Sequence, residues 1–223
     1  MRQDPEPPEA PSRPDARSRP GYEFAKRLTD LALGVLALAL LSPFLVVLAY
    51  LINRDSPGPV LYRGLRIGRY GKPFRIYKFR TMEVDAEIHG GSSTPDDDPR
   101  ITRIGAWLRS RKIDELPQLF NVIKGEMSLV GPRPQVADDV DRYTSEECAL
   151  LSVLPGLTDL ASLRFRNEGE ILRGHGDPDR AYIELIRPEK IRLGLDYVRR
   201  RSFVMDCRII WETVRVVAGF SEV

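Results

Sequence analysis

The longest hydrophobic segment of the chain is an uncharged run of 22 residues from Leu31 to Ile52. A helix of this length rises about 33 Å, enough to cross the hydrocarbon core of a bilayer. Ser42 and Pro43 lie at the middle of the run, where proline removes a backbone donor and distorts a straight helix. In lipid such a break is tolerated when the freed carbonyl groups find partners, and the Ser42 hydroxyl is one candidate. The pattern therefore predicts a membrane helix broken at Ser42 and Pro43.

Basic residues lie on both sides of this run. Lys26 and Arg27 precede it, and a basic segment from Arg54 to Arg80 follows it. Because basic flanks favour the cytoplasmic side of a membrane, both ends of the run are expected on that face. We predict a re-entrant helix over 21–53 that enters the membrane, breaks and returns. A simple membrane span and a buried helix of a soluble protein remain alternative interpretations.

Residues 60–82 contain two stretches rich in β-branched and aromatic residues. The segment Tyr70-Gly71-Lys72-Pro73 between them is typical of a turn, so the pattern predicts a small β-hairpin. Period-2 alternation divides the second stretch into two faces, which are Phe74, Ile76 and Lys78 on one side and Arg75, Tyr77 and Phe79 on the other.

The remaining pattern is mainly helical. Ile101–Arg111 has apolar residues at helical spacing. Pro117 suits a first helical turn, so Asp114 is predicted to cap the next helix with Glu115 just inside it. For the apolar and basic stretch Phe203–Val217, core packing is favoured over a position on the membrane surface. The fold class is therefore α+β and α-rich, with a single domain over 54–223.

The amino-terminal segment 1–20 has a different composition from the rest. It contains six prolines and no aromatic residue, so it cannot bury enough surface to offset its ordering entropy. We expect a disordered tail. It does not resemble a signal peptide, because the apolar run starts too late and lacks a small-residue cleavage site.

Overall composition excludes several classes of protein. The net charge is +2, so no general attraction to nucleic acid is implied. Two cysteines and two histidines, far apart, disfavour a zinc site and exclude a disulfide framework, so a reducing, cytoplasmic environment is the default.

Locally, Arg54–Arg80 contains eight basic residues and a single acidic one, Asp55. This balance suits anionic lipid head groups or phosphorylated substrates, although a solvated strand face is the simpler alternative.

The adjacent carboxylates of Asp114 and Glu115 are the main candidates for chemistry. Carboxylates held ionised among cations bind Mg²⁺ through one or two oxygens and leave the other positions for substrate phosphates. An ionised aspartate can also attack phosphorus. Capping of a helix is the structural alternative for such a pair. The flanking cations that favour the functional interpretation are Arg109, Arg111, Lys112 and Arg133.

Three further basic residues are candidates for binding substrate phosphate. Arg133 lies between two prolines in GPRP, and this stiff loop suits a bidentate grip on phosphate. Lys78 and Arg80 follow the predicted turn on the second strand. Individually, each of the three is equally compatible with a surface position.

Six segments of the chain resemble the bacterial monotopic phosphoglycosyl transferases, also called bacterial sugar transferases. The resemblance covers about half of the chain, and the longest segment is highly specific. The segments are Lys26-Arg27, Ser42-Pro43, FRIYKFRTM at 74–82, DPRITRIG at 98–105, IDELPQLFNVIKGEMSLVGPRP at 113–134 and LPGLT at 154–158.

The resemblance implies a UDP-sugar:undecaprenyl-phosphate sugar-1-phosphate transferase on the cytoplasmic face of the bacterial inner membrane. Such an enzyme transfers a phosphosugar with Mg²⁺, releases UMP, and begins a capsule, exopolysaccharide or glycoconjugate. By resemblance, Asp114 attacks the β-phosphorus and carries the phosphosugar, and Glu115 helps bind the metal. Lys78 and Arg133 would contact substrate phosphates.

The chain departs from the family pattern at two positions. Asp159 follows LPGLT where many members have glycine, and Gly194 stands where many have aspartate. These departures bear on the sugar rather than on the phosphates. A catalytically inactive membrane adaptor of the same fold and an enzyme that transfers a sugar without its phosphate are the alternatives. The identity of the sugar and the formation of a homodimer are left open.

Overall fold

The computed structural model describes residues 19–84, 86 and 94–220, and it begins with a long helix, α1, from Pro20 to Asp55. Pro20 starts the helix because a proline suits the first turn. Pro43 lies inside α1, and the Ser42 hydroxyl donates to the Ala39 carbonyl at 2.8 Å. The predicted break at Ser42-Pro43 therefore does not end the helix. Residues 1–18 of the predicted tail lie outside the described residues.

Of the helices that the structure describes, only α1 is long and apolar enough to cross a membrane, and 11% of its most apolar window is buried. Large apolar side chains along it are exposed, among them Val35, Leu36, Leu40 and Val47. Such a surface is unfavourable in water and favourable in lipid. The helix therefore supports association with a membrane.

An interrupted β-hairpin follows α1 and confirms the predicted turn. Its inner pair is β2 and β3, connected through a 3-10 turn, and its outer pair is β1 and β4. The bounds are β1 Leu61–Tyr62, β2 Leu65–Ile67, the turn Arg69–Gly71, β3 Pro73–Arg75 and β4 Lys78–Phe79.

The predicted alternation through the second strand is wrong beyond Ile76. Phe74 and Ile76 share a face and are buried, but Phe79, placed on the opposite face, is also buried, and Lys78 is only partly so. The reason is the interruption between β3 and β4, which shifts the side-chain alternation after Tyr77.

Two helices flank the predicted carboxylate segment. Helix α2 spans Arg103–Ser110, and the Thr102 side chain caps it by accepting from the Gly105 amide at 2.9 Å. A 3-10 helix, Ile113–Gln118, leads into α3, Leu119–Lys124.

The predicted capping role of Asp114 is wrong. The residue before the 3-10 helix is Lys112, whose φ of 56° lies in the left-handed region, and Asp114 lies inside the first turn. The carboxylate of Asp114 is therefore not used to cap this helix, for which no side-chain cap bond occurs.

The carboxyl-terminal half is mostly helical. A parallel pair, β5 Ser128–Val130 and β6 Gly156–Thr158, lies at its start. The other elements are α4 Ala137–Val140, a 3-10 helix Glu147–Ser152, α5 Leu160–Arg164, α6 Glu168–Leu172, α7 Pro178–Ala181, a π-helical turn Tyr182–Ile186, α8 Arg187–Arg200 and α9 Phe203–Val217. The α-rich α+β class predicted from the sequence is confirmed.

The amino-terminal part of α1 is tied to this domain by polar contacts. The Arg27 guanidinium donates to the carbonyls of Val122 and Ile123, at 2.6 and 2.8 Å, and so satisfies the end of α3. The Asp30 carboxylate accepts from the Leu129 amide at 3.0 Å.

The carboxyl-terminal part of α1 is tied to the same domain by apolar packing. Leu48 and Ile52 form a buried cluster with Phe79 of β4 and Leu108 of α2. Both ends of the apolar helix thus contact one domain.

Helix α9 has one packed face and one exposed face. Ile209 is buried against Val130 and Tyr197. On the other side Val204 is 78% exposed and Trp211 is 63% exposed. The expectation of core packing therefore holds for only one face of this helix.

Candidate active site

The structure brings four of the five predicted catalytic and phosphate-binding residues together. Lys78 Nζ lies 3.2 Å from Asp114 Oδ2 and 3.1 Å from Glu115 Oε1. Arg133 makes a bidentate contact with Glu115, in which Nη1 donates to Oε2 at 3.1 Å and Nη2 donates to Oε1. We call Lys78, Asp114, Glu115 and Arg133 the charge cluster. It combines two carboxylates with two cations.

Burial makes the ionic contacts of the charge cluster strong. The side chain of Asp114 is 6% exposed and that of Glu115 is 13% exposed. Burial on its own raises the pKa of Glu115, but the charges of Arg133 and Lys78 and their hydrogen bonds outweigh it and hold that pKa well below its usual range. Glu115 is therefore a carboxylate at neutral pH, and the nearby charge of Glu115 raises the pKa of Arg133.

Two buried side-chain atoms in this segment have no hydrogen-bond partner among the described residues. They are Asp114 Oδ1 and Gln118 Nε2, and their residues lie four positions apart in the 3-10 helix. Buried polar atoms are nearly always paired, so each exception needs an explanation, and a catalytic role is one of them. Asp114 Oδ1 is thus the carboxylate oxygen of the charge cluster that is free to react or to bind a ligand.

Lys78 is positioned by Asn121, which the sequence did not single out. The Asn121 side chain accepts from the Tyr77 amide at 3.0 Å and donates to the Arg75 carbonyl at 2.8 Å. These are the backbone groups at the interruption between β3 and β4, so Asn121 fixes β4 against α3. A polar residue of low helix propensity inside a short apolar helix was the available signal for this role.

Arg133 is positioned by close contact between two glycines. The Gly131 amide donates to the Thr158 carbonyl at 3.1 Å, and the Gly156 amide donates to the Pro132 carbonyl at 2.9 Å. A Cβ atom at Gly131 or at Gly156 would overlap the backbone of the opposite segment. The two motifs GPRP and LPGLT therefore form one backbone unit that presents Arg133.

Arg80, the fifth predicted residue, does not join the charge cluster. It is buried, and its guanidinium donates to the carbonyls of Ser56 and Pro57 just beyond the end of α1. These contacts connect the membrane helix to β4. The geometry thus favours a structural role for Arg80.

A narrow cleft is lined in part by Arg133. Asp159 and Gly194, the two positions that depart from the family pattern, both line it. Asp159 is buried and caps α5 by accepting from the Ser162 amide at 2.6 Å. The departures are therefore located beside the residue predicted to hold substrate phosphate.

The charge cluster is compatible with a magnesium ion. No group of three or more His, Cys, Asp or Glu side chains suited to a metal occurs among the described residues. Mg²⁺, however, needs only one or two carboxylates when substrate phosphates and water complete its shell. Asp114 Oδ1 has no partner, whereas both oxygens of Glu115 already accept hydrogen bonds from cations.

Comparison with known proteins gives a consistent result. A family model described as bacterial sugar transferase matches residues 21–219. The chain is 38% identical over 206 residues to the UDP-N-acetylgalactosamine-undecaprenyl-phosphate N-acetylgalactosaminephosphotransferase of Aeromonas hydrophila, a match that covers 90% of this chain and 45% of that protein.

Two further relatives match over more of their own length. The UDP-glucose:undecaprenyl-phosphate glucose-1-phosphate transferase of Caulobacter vibrioides is 39% identical over 199 residues, 88% of this chain and 70% of that protein. The exopolysaccharide production protein PSS of Rhizobium leguminosarum bv. phaseoli is 42% identical over 200 residues, 85% of this chain and 92% of that protein.

Proposed function

The chain belongs to the bacterial sugar transferase family, and from this premise we propose that it transfers a phosphosugar from a UDP-sugar to undecaprenyl phosphate and releases UMP. The Aeromonas and Caulobacter relatives are named for transfers of this kind, to undecaprenyl phosphate. The observation that carries the proposal is the charge cluster, in which the buried carboxylate of Asp114 contacts Lys78 through Oδ2 and has no hydrogen-bond partner for Oδ1 among the described residues.

The first step proceeds on Asp114. Its carboxylate attacks the β-phosphorus of the UDP-sugar, the bond from that phosphorus to the bridging oxygen breaks, and UMP leaves with the electron pair. The phosphosugar is then held as an acyl phosphate on Asp114. Asp114 Oδ2 contacts Lys78, and Oδ1 is the oxygen with no partner to give up.

The second step returns the aspartate. A phosphate oxygen of undecaprenyl phosphate attacks the same phosphorus, the bond to Asp114 breaks, and a diphosphate-linked lipid is formed. Because UMP has already left, the UDP-sugar and undecaprenyl phosphate need not occupy the site together. The product begins a glycan on its carrier, as in capsule, exopolysaccharide or glycoconjugate assembly.

Lys78 and Arg133 neutralise the charge that develops on the phosphates. Both cations contact Glu115, and this carboxylate positions them for the phosphate oxygens. Donors that are held in position before the reaction provide the largest share of stabilisation in phosphoryl transfer.

Mg²⁺ is the proposed cofactor. Asp114 and Glu115 would hold it, and it would supply neutralisation of the diphosphate when bound. Occupation by the metal would compete with the contacts that Glu115 makes to Lys78 and Arg133.

We place both ends of α1 on the cytoplasmic face of the inner membrane, in a re-entrant arrangement. The supporting observation is that Arg27 and Asp30 near one end, and Leu48 and Ile52 near the other, contact the same domain. A straight crossing would put these contacts on opposite sides of the bilayer. The flexible point in this arrangement is Pro43, where the helix lacks one backbone donor.

The activity is tested by measuring UMP release from a panel of UDP-sugars with undecaprenyl phosphate and Mg²⁺. We expect Asp114→Asn to lower turnover by three or more orders of magnitude, which corresponds to about 4 kcal/mol of transition-state stabilisation. The exposed Asp141→Asn is the matched control and should retain wild-type turnover. Near-normal turnover of Asp114→Asn would contradict the covalent role of Asp114. A wild type that is inactive with every sugar would favour a catalytically inactive membrane adaptor.

The topology is tested by labelling a single cysteine. Gly21→Cys is suitable because a Cβ at Gly21 meets no atom within 4 Å, and the native Cys148 and Cys207 are replaced. In intact spheroplasts a membrane-impermeant thiol reagent should leave Gly21→Cys unlabelled, whereas in inverted vesicles it should label it. Labelling in intact spheroplasts would indicate a straight crossing.

A further inference from the structure

A residue of the membrane helix is bonded directly to the strand that leads to Arg133. Strand β5 ends at Val130, and the GPRP segment that contains Arg133 follows it without a break. The Asp30 carboxylate of α1 accepts from the Leu129 amide of this strand through Oδ1, at 3.0 Å. Asp30 is only 3% exposed, so the bond is made away from water.

This bond occupies the open edge of β5. In the part of the chain that the structure describes, β5 pairs only with β6, in a sheet of two strands. The Ser128 amide donates towards β6, to the Pro155 carbonyl at 2.8 Å. Because successive backbone amides of a strand point to opposite edges, the Leu129 amide points away from β6, to the edge that has no strand. Asp30 thus supplies the acceptor that a neighbouring strand would otherwise provide.

A second connection joins the start of α1 to the next residue of β5. The Tyr197 hydroxyl of α8 lies 3.1 Å from the Val130 carbonyl and 2.8 Å from the Asp206 carboxylate of α9. The same carboxylate accepts from Tyr22 at 2.8 Å and from Lys26 at 3.0 Å, and both of these residues belong to α1. The helix therefore holds two successive residues of β5, one directly and one through α8 and α9.

The position of Asp30 in the sequence makes this carboxylate costly. It immediately precedes the uncharged run that begins at Leu31. A buried carboxylate is unfavourable unless it is hydrogen-bonded, and ionisable residues in membrane helices usually serve a function. A neutral residue would suffice if this helix only had to be stable in lipid.

We propose that Asp30 is a positioning residue for Arg133. Its carboxylate fixes β5 at the edge opposite to β6, and β5 in turn fixes the start of the GPRP segment. This assignment rests on the proposed function and adds a residue of the membrane helix to the groups that determine where Arg133 lies. The helix α1 then both attaches the protein to the membrane and supports the active site.

The test is a double-mutant cycle between Asp30 and Arg133, measured as steady-state UMP release by the full chain in lipid nanodiscs. A displacement of about 1 Å can lower a rate about 10²-fold, so Asp30→Ala should lower turnover by about tenfold or more. Once Arg133 has been removed, its position no longer matters. Adding Asp30→Ala to Arg133→Ala should therefore change turnover by less than about twofold, whereas two independent losses would multiply.

A conservative variant and a matched control accompany the cycle. Asp30→Asn keeps an acceptor oxygen for the Leu129 amide, so it should recover most of the turnover that Asp30→Ala loses. Asp55, at the other end of α1, accepts from the Ile104 amide of α2 at 2.9 Å, which is a bond of the same kind to a different element. Turnover of Asp55→Ala should stay within about twofold of wild type.

Hydrogen exchange tests the first step of the proposal without relying on activity. Asp30→Ala removes the partner of the Leu129 amide, so a peptide covering 128–134 should exchange faster than in wild type. Asp55→Ala should leave the exchange of this peptide unchanged. If Asp30→Ala does not fold, Asp30→Ser replaces it in both measurements, because the serine oxygen ends one bond short of the Leu129 amide.

Three results would overturn the positioning role while the wild type still releases UMP and the proposed function stands. They are multiplicative losses in the cycle, unchanged exchange of 128–134 in the Asp30 variant, and equal losses of turnover for Asp30→Asn and Asp30→Ala. A wild type that releases no UMP from any UDP-sugar would overturn the proposed function itself, together with the role that rests on it.

Discussion

Strand β4 and the 3-10 helix Ile113–Gln118 have a polar face and an apolar face, and the two are built differently. On the polar face Lys78, Glu115 and Arg133 are fixed by directional ionic hydrogen bonds. On the apolar face the side chains leave a cavity of about 640 Å³ open. The polar face thus has one defined geometry, while the apolar face leaves open space.

Under the proposed function the acceptor has two parts, a phosphate and an apolar chain. A phosphate has oxygens in fixed positions, and charge-assisted hydrogen bonds to them depend on geometry. A flexible apolar chain has no such directions, and its contacts depend on packing rather than on directed bonds. We therefore expect substitutions on the polar face to change turnover more than substitutions on the apolar face do.

The largest effect on the polar face, after that of Asp114, should come from Arg133. Arg133→Ala removes both bonds to Glu115 and a donor to phosphate, so turnover should fall about 10²- to 10³-fold. Arg133→Lys should recover only part of it, because lysine cannot make the bidentate contact. Steady-state UMP release measures the effect.

Arg192→Ala is the matched control for Arg133. Arg192 makes an exposed ion pair with Glu189, and such pairs contribute little, so turnover should not change. A loss in Arg133→Ala that appears only as a higher acceptor KM would contradict the division between the two faces.

The next effect tests what positions Lys78. Asn121→Ala leaves the Tyr77 amide and the Arg75 carbonyl without their partner, which should cost about 3 kcal/mol of unfolding free energy and also reduce turnover. A lower thermal midpoint in detergent together with a lower turnover would be the expected result. The exposed Asn53→Ala is the control, since the hydrogen bond that the Asn53 side chain accepts from the Gly58 amide is long at 3.4 Å.

If Asn121→Ala unfolds earlier but keeps full turnover below its thermal midpoint, Asn121 stabilises the fold without positioning Lys78.

Local pattern was sufficient to predict several elements. The turn at Tyr70–Pro73, the helix over Ile101–Arg111 and the long apolar helix each depend on residues close in sequence, and each was found. The family resemblance, and not the pattern, implied that Lys78, Asp114 and Glu115 belong to one site. The structure places Lys78 in contact with both carboxylates.

The errors occurred where a distant residue or an unusual backbone angle decided the structure. Asn121, far along the chain, takes up the backbone groups at the break between β3 and β4, and no strand pattern contains that information. Lys112 adopts a left-handed conformation and starts a 3-10 helix, so Asp114 does not take the capping position. For Arg80 the phosphate-binding role stays a prediction, but the sequence did not indicate its bonds to carbonyls just beyond the end of α1, 23 and 24 positions away.

A smaller effect should follow from crowding the contact that presents Arg133. Gly156→Ala inserts a Cβ against the backbone of Gly131, which should cost about 2 kcal/mol and displace the GPRP loop. Turnover should fall about tenfold, and the acceptor KM should stay the same. Gly176→Ala is the control, because a Cβ at Gly176 meets no atom within 4 Å.

Gly156→Ala could destabilise the fold without moving Arg133. In that case the thermal midpoint would fall while turnover at low temperature stayed at the wild-type value. That result would show that the glycine contact supports stability alone, and Arg133 would then be positioned mainly by Glu115.

The smallest effect concerns pH and depends on the ionisation of Glu115. Its pKa in the folded protein is held well below the ordinary value of 4.5: burial raises it, but the charges of Arg133 and Lys78 lower it by more. A carboxyl group whose pKa is lowered on folding stabilises the protein fully above the unfolded pKa, and this contribution is lost as the pH falls through the folded pKa. The difference in thermal midpoint between wild type and Glu115→Gln should therefore be constant from pH 8 to about 5 and should shrink at lower pH.

Val46 lines the cavity on the apolar face, and Val46→Trp provides the counterpart. It changes no ionisable group of the charge cluster, so its difference in thermal midpoint from wild type should stay the same down to the lowest pH at which the protein folds. A difference for Glu115→Gln that already shrinks between pH 7 and 6 would mean that Glu115 is not held ionised by Arg133 and Lys78. The polar face would then lack the fixed geometry that distinguishes it from the cavity, and the positions of both cations would have to be set by the substrate instead.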